Sequence, residues 1–307
     1  MTAVEVKNLS YSYGKHAALR ELELSIPEGA LYALLGANGS GKTTLLQILM
    51  GLRRARAGEV ALLGVDSGAL SPADRGRIGY MAEGRPLPGW MRLEQVEAYL
   101  APLYPTWDAA LARELRIRFD LDPRRRIGTL SRGEHMKAAL LCALAPRPKL
   151  LLMDEPFTGM DALVKDDLVR GLLAFAGSEG WTVLIASHDI GELELLADWV
   201  GFLDRGRMRV SEPMERLRER FKRVTVVGDQ HAAAAEPRPS DNWLSFERTG
   251  RRLTFIVPDA GDSFESALLP ARFPGAEQIT VRDASLREIF VALARPSRAF
   301  TGKEVAA

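Results

Sequence analysis

The chain has 307 residues, with 41 Lys and Arg against 40 Asp and Glu for a formal net charge of +1, which argues against a nucleic-acid coat or a strongly anionic partner as its main business. The length suits one large domain plus a smaller one, and a single cysteine, Cys142, set in the apolar stretch Ala138 to Ala145, excludes an internal disulfide framework and reads as a small buried hydrophobe. No run of ~18 consecutive apolar residues occurs, and the first residues lack a basic region followed by a long apolar one, so neither secretion nor direct membrane insertion is expected.

From the N-terminus, Val4 to Tyr13 and Leu22 to Ile26 alternate apolar and polar residues, as half-buried antiparallel strands do. The apolar run Ala30 to Leu35 then leads into Gly36, Ala37, Asn38, Gly39, Ser40, Gly41, Lys42 and Thr43, and a helical pattern follows from Thr44 to Met50. A glycine-rich loop between a strand and a helix is a phosphate cradle. Its backbone N–H groups turn inward around the α- and β-phosphates, Lys42 reaches the β- and γ-phosphates, and the Thr43 hydroxyl binds Mg²⁺.

Glu59 to Leu63 reads as another strand, and Arg92 to Ala145 as a helical insertion broken at Pro102, Pro105 and Asp122 to Arg126. The apolar strand Lys149 to Met153 delivers Asp154 and Glu155 at its carboxyl end, where open α/β sheets place their ligands. Asp154 is expected to hold Mg²⁺, and Glu155 to polarise the water that attacks the γ-phosphate. Downstream come a helix over Asp161 to Ala176, a buried strand over Thr182 to Ala186, a helix over Ile190 to Asp198 and a hairpin of Val200 to Leu203 with Met208 to Ser211.

The core is expected to end near Glu212, giving a domain over 1–212 with a helical subdomain at about 85–148. A small α+β domain is expected over 213–295 and a loose tail over 296–307. In that second domain Met214 to Phe221 reads as a charged helix. Arg223 to Val227, Trp243 to Arg248, Leu253 to Val257 and Gln278 to Val281 read as strands, Ser263 to Leu269 and Ser285 to Ala294 as helices, and His231 to Ser240 as a loop.

With these elements placed, the sequence resembles the ATP-binding cassette (ABC) ATPases from Val4 to about Glu212. The resemblance implies an α/β P-loop NTPase core with an antiparallel β subdomain and a helical insertion, to which the small α+β domain is added. It implies that Tyr13 stacks on adenine, that Thr44 belongs to the nucleotide site, and that Glu83 takes the place of the family's Q-loop glutamine near Mg²⁺. Leu130 to Glu134 falls where the family's signature opens a helix, with Ser131 and Gly133 directed at the γ-phosphate held by an opposite subunit. Thr158 to Asp161 looks like the D-loop, which gives Asp161 a nucleotide role, and His188 looks like the switch histidine beside the hydrolytic water.

Two residues depart from the pattern: Arg132 replaces a glycine and Glu134 a glutamine, adding a cation and an anion near the composite site. The other histidines, His16, His135 and His231, are expected to be exposed or structural. Leu87 to Met91, above all Trp90, with Tyr104 and Trp107, is the candidate contact zone for a membrane partner.

The function implied is an ATP-hydrolysing subunit that uses ATP and Mg²⁺, dimerises with a second ATP-binding subunit, and drives separate membrane-spanning permease subunits at the cytoplasmic face. No nucleic-acid partner is implied. Tyr104 to Asp108 and Leu286 to Phe290 look like exporter-type cassettes. A soluble ABC ATPase acting on a cytosolic partner, and a nucleotide switch without turnover, stand as alternatives.

Overall fold

In the computed structural model, the described residues are 1–82, 87–158, 160, 165, 168–171, 180–194, 196–228, 243–260 and 269–294. Glu83, Asp161, most of the expected helix from Asp161 to Ala176, the loop from His231 to Ser240, most of the helix from Ser263 to Leu269, and the tail from Pro296 lie outside them. The chain divides into two compact units, Met1–Ser211 and Glu212–Ala307.

In the first unit, strands β1 (Thr2–Tyr13), β2 (His16–Pro27), β4 (Ala57–Leu62) and β5 (Val65–Asp66) form an antiparallel sheet in the order β2-β1-β4-β5. Their alternating pattern puts Val4, Val6, Leu22, Leu24, Ile26 and Val60 into a core shared with the helix α1 (Lys42–Leu49). The second sheet contains β3 (Leu31–Leu35), β6 (Ile78–Met81), β7 (Leu150–Asp154), β8 (Thr182–Ser187), β9 (Trp199–Asp204) and β10 (Arg207–Pro213), in the order β10-β9-β3-β8-β7-β6. Every residue of β3, β7 and β8 is buried, as expected where a parallel sheet is covered on both faces.

Register in this sheet places the functional site. Leu35 on β3 pairs with Ser187 on β8, and Asp154 on β7 pairs with Ala186. The three strands therefore finish at one edge, and the residues that follow them, Gly36, Glu155 and His188, emerge side by side.

The helical insertion contains α3 (Leu93–Leu100), α4 (Ala109–Arg118) and α5 (Arg132–Leu144), after a short α2 (Pro72–Gly76). Asp108 caps α4 by accepting from the N–H groups of Ala110 and Leu111, and Ser131 with Glu134 forms a reciprocal capping box on α5. Cys142 is buried on α5, and burial pushes its thiol pKa up to about 12, in keeping with a structural hydrophobe. One expected helix is shorter than its periodicity suggests: it spans Ile190–Leu193 rather than continuing to Asp198. Asp198 is instead held on β3, donating its N–H to the Leu31 carbonyl at 2.9 Å while its carboxylate accepts from the Leu31 N–H at 3.1 Å.

The second unit is a four-stranded antiparallel sheet of β11 (Phe221–Gly228), β12 (Leu244–Thr249), β13 (Arg252–Pro258) and β14 (Ala276–Asp283), in the order β12-β13-β11-β14. Trp243, Phe255 and Phe273 stack in its core, with the Trp243 and Phe255 rings 4.1 Å apart.

Candidate functional site

The loop from Gly36 to Thr43 takes its shape from glycines that cannot carry a side chain. A Cβ on Gly36 would lie 2.4 Å from the Ser40 hydroxyl, and one on Gly41, whose φ is +113°, would lie 2.7 Å from the Ala18 carbonyl. Gly41 is also the N-cap of α1, where no side chain caps the helix, so the first-turn N–H groups are left for an anion. Ala37, Asn38, Gly39 and Thr43 are exposed on this loop.

Lys42 is buried at 5% exposure. Its ammonium donates to the carbonyls of Gly36 at 2.7 Å and Ala37 at 3.3 Å, and lies 3.3 Å from Glu155 Oε1. A buried lysine held in this way is a cation fixed within the loop that would receive a phosphate.

Glu155 is the centre of the cluster. It is buried, its N–H is tied to the Ala186 carbonyl at 2.8 Å, and its φ of +49° is a left-handed conformation that costs a non-glycine residue about 1 kcal/mol or more. Its Oε2 accepts from His188 Nδ1 at 2.8 Å, from the Ser187 and Thr158 hydroxyls at 3.3 Å each, and from the His188 N–H at 3.4 Å. The His188 ring is 44% exposed, and with Nδ1 turned to the carboxylate its Nε2 is free to face a ligand. Asp154, one residue earlier, is buried at the end of β7.

This donor set suits a polyphosphate and a hard divalent cation. Among the described residues the buried Ser40 hydroxyl has no hydrogen-bond partner, as a group awaiting an anion would have none. The exposed Thr43 hydroxyl and the Asp154 carboxylate supply the oxygen chemistry that Mg²⁺ requires.

Tyr13 is 42% exposed, and its hydroxyl lies 3.3 Å from Thr44 Oγ1 on α1, which fastens the ring to the loop. Tyr11 meets it edge-on at 5.1 Å, and the Arg53 guanidinium sits 4.8 Å from its ring centroid while donating to the Tyr11 hydroxyl. Arg53 was not expected from the sequence. It follows α1 in an irregular stretch, and no local motif links it to Tyr13.

Ser131 caps α5 and Gly133 stands in its first turn, and among the described residues no hydrogen bond or ion pair joins them to Lys42, Glu155 or His188. Glu83 and Asp161, expected at the site, lie outside the described residues. Of the remaining histidines, His16 is exposed, and His135 has a buried Nε2 and is among the residues, with Tyr80, Tyr104, Arg132 and Glu155, that line a cavity of about 710 Å³. Trp90 is 76% exposed on the helical insertion, and Tyr99 and Leu103, which the sequence did not single out, are exposed there as well.

A parallel sheet whose strand edge carries a phosphate loop, a buried lysine and adjacent carboxylates defines a P-loop NTPase. Residues 19–158 match the family described as ABC transporter. The chain is 26% identical over 289 residues to the ABC transporter ATP-binding protein YtrB of Bacillus subtilis, covering 94% of this chain and 97% of that protein. It is 37% identical to the aliphatic sulfonates import ATP-binding protein SsuB 1 of Nocardia farcinica, over 71% of this chain and 84% of the other. A solved dimeric ATP-binding cassette in a post-hydrolysis state, bound to ADP and Pi, superposes with a TM-score of 0.61 at 26% identity, over 69% of this chain and 98% of that one. The chain belongs to the ATP-binding subunits of ABC transporters and is an ATPase of that type.

Proposed function

We propose that two copies of this chain close around two ATP molecules at the cytoplasmic face of a membrane and drive separate permease subunits in export. The observation that carries the reading is the convergence of Lys42, Glu155 and His188 within one hydrogen-bonded cluster at the sheet edge. Mg²⁺ would be held by the Thr43 hydroxyl and the Asp154 carboxylate, and by Glu83 on the family resemblance alone, and when bound it offsets charge on the β- and γ-phosphates.

Lys42 exchanges its loop carbonyls for phosphate oxygens as nucleotide enters. That exchange also loosens its hold on Glu155 Oε1. The carboxylate then accepts a proton from the water as its oxygen attacks the γ-phosphorus and the bond from that phosphorus to the β–γ bridging oxygen breaks to leave ADP, while His188, oriented through Nδ1, stands at the γ-phosphate side of Glu155. Ser131 and Gly133 of a second copy complete the site, so that closure depends on nucleotide and shifts the conformational equilibrium.

No helix among the described residues is long and apolar enough to cross a membrane, which supports a division of labour with membrane-spanning partners. Trp90 is the proposed anchor for such a partner. The export direction rests on the resemblance of Tyr104 to Asp108 and Leu286 to Phe290 to exporter-type cassettes.

Two measurements test this reading. Glu155→Gln should lower steady phosphate release by about 10²-fold or more while ATP still binds, since it removes the general base and keeps the fold; turnover near the wild-type rate would reject the assigned role. Co-purification from native membranes should recover a multi-span protein, and with both components in vesicles cargo should leave the compartment that holds ATP. Accumulation on the ATP side would instead make the system an importer.

A further inference from the structure

Glu134 stands at the third position of α5, where it puts a carboxylate beside Ser131 and Gly133. A carboxylate close to a γ-phosphate would repel it, and this makes the surroundings of Glu134 decisive. Its Oε2 accepts from the Ser131 N–H at 2.7 Å, and the Ser131 hydroxyl in turn accepts from the Glu134 N–H at 3.2 Å. Its Oε1 is bound by Arg125 Nη1 at 2.5 Å, while Arg125 Nη2 donates to the Thr129 carbonyl at 2.7 Å. The Arg125 backbone is fixed as well: its N–H donates to the Asp122 carbonyl and its carbonyl accepts from the Leu93 N–H.

Both side chains of the pair are about one-third exposed, at 39% for Arg125 and 30% for Glu134. Pairs this wet contribute little to folding. What the pair does change is the charge that the start of α5 shows to an incoming anion. The Ser131 hydrogen bonds, opposed by partial burial and aided by Arg125, hold the Glu134 pKa below the ordinary carboxylate range, so the carboxylate is ionised and needs its counter-charge.

We propose that Arg125 is a positioning residue for ATP hydrolysis: by neutralising Glu134 and fixing it on Ser131, it lets the start of α5 receive the γ-phosphate of a nucleotide held by a second copy. The proposal rests on reading α5 as the element that completes the opposite site. Glu134 then serves as a helix cap whose charge is cancelled, and Arg132, exposed at the first position of α5, leaves the helix start with a net positive charge.

The test uses the full chain carrying Glu155→Gln, so that ATP persists, and follows dimer formation by analytical ultracentrifugation across an ATP titration. Adding Arg125→Ala should raise the ATP concentration for half-maximal dimer about tenfold, because the unpaired carboxylate now faces the phosphate. Adding Glu134→Gln to that variant should restore the parent value, since an amide keeps the cap and carries no charge. Arg126→Ala, a neighbouring arginine without this contact, should leave the titration unmoved.

An Arg125→Ala titration identical to the parent overturns the proposal. So does failure of Glu134→Gln to rescue it, which would make the arginine a structural tether. If the Glu155→Gln parent binds ATP without dimerising, the composite-site reading falls and the proposal falls with it.

Discussion

Tyr13, to which the family resemblance gives the stacking of adenine, is an exposed ring held at several points. Its hydroxyl lies against Thr44, Tyr11 meets it in a T-shaped pair, and Arg53 lies over its ring, so the ring would have little freedom left to lose in stacking on a nucleobase. Tyr13→Ala should weaken ATP binding by about 1–3 kcal/mol, the worth of one base–aromatic stack, with turnover at saturating ATP much less affected. Arg53→Ala should weaken it less, through a ring that is no longer held. Isothermal titration of the two variants would check the order, and an Arg53 effect exceeding that of Tyr13 would mean that the base rests on the guanidinium.

At the scale of elements, the site was legible where it is continuous in sequence and hidden where it is not. A buried strand, a glycine loop and a helix are neighbours in the chain, so Gly36 to Thr44 announces itself, and Asp154 and Glu155 stand out as two acids ending an apolar strand. The fold class followed from the same alternation of strand and helix patterns. The pairings of Arg53 with Tyr13 and of Arg125 with Glu134 depend on how turns fold back, which periodicity does not encode. Nor does it encode the left-handed backbone at Glu155, a residue whose N–H is held by the Ala186 carbonyl of the neighbouring strand.

The second unit contains a tie of the same kind. Glu288, near the start of the helix Leu286–Ala294, is shared by Arg223 of β11 and Arg282 of β14, and also accepts from the Ser285 N–H. Burial opposes its ionisation, but the hydrogen bonds from Arg282, Ser285 and Arg223 overcome this and hold its pKa at about 2. A folded pKa below the ordinary value contributes stability above about pH 4.5 that is lost as pH falls toward 2. Glu288→Gln should therefore cost about 1–2 kcal/mol at neutral pH and progressively less in acid, solvent screening keeping the figure small. Hydrogen exchange of the β11 and β14 amides would show it, and a cost that persists undiminished near pH 2 would assign the stabilisation to shape rather than charge.

For the whole molecule, the division at Ser211 puts every described residue of the proposed nucleotide site in one unit. Lys42, Asp154, Glu155, His188, Tyr13 and the start of α5 all lie in Met1–Ser211, and the second unit has its own aromatic core around Trp243, Phe255 and Phe273. A unit with its own core can fold by itself, and we predict that its removal leaves the core of the other intact. Deleting Arg223 to Ala307 should thus leave the affinity for ATP within about twofold of the full chain, while the ATP concentration needed for dimerisation rises if the second unit supports the dimer. Equilibrium binding of a fluorescent ATP analogue measures the first quantity and ultracentrifugation the second. Loss of binding by a truncated chain that keeps its cooperative unfolding would show that the second unit takes part in forming the nucleotide site. Unchanged dimerisation would turn attention to regulation, because a folded unit that neither binds the nucleotide nor strengthens the dimer can affect turnover only through what it binds in its own right.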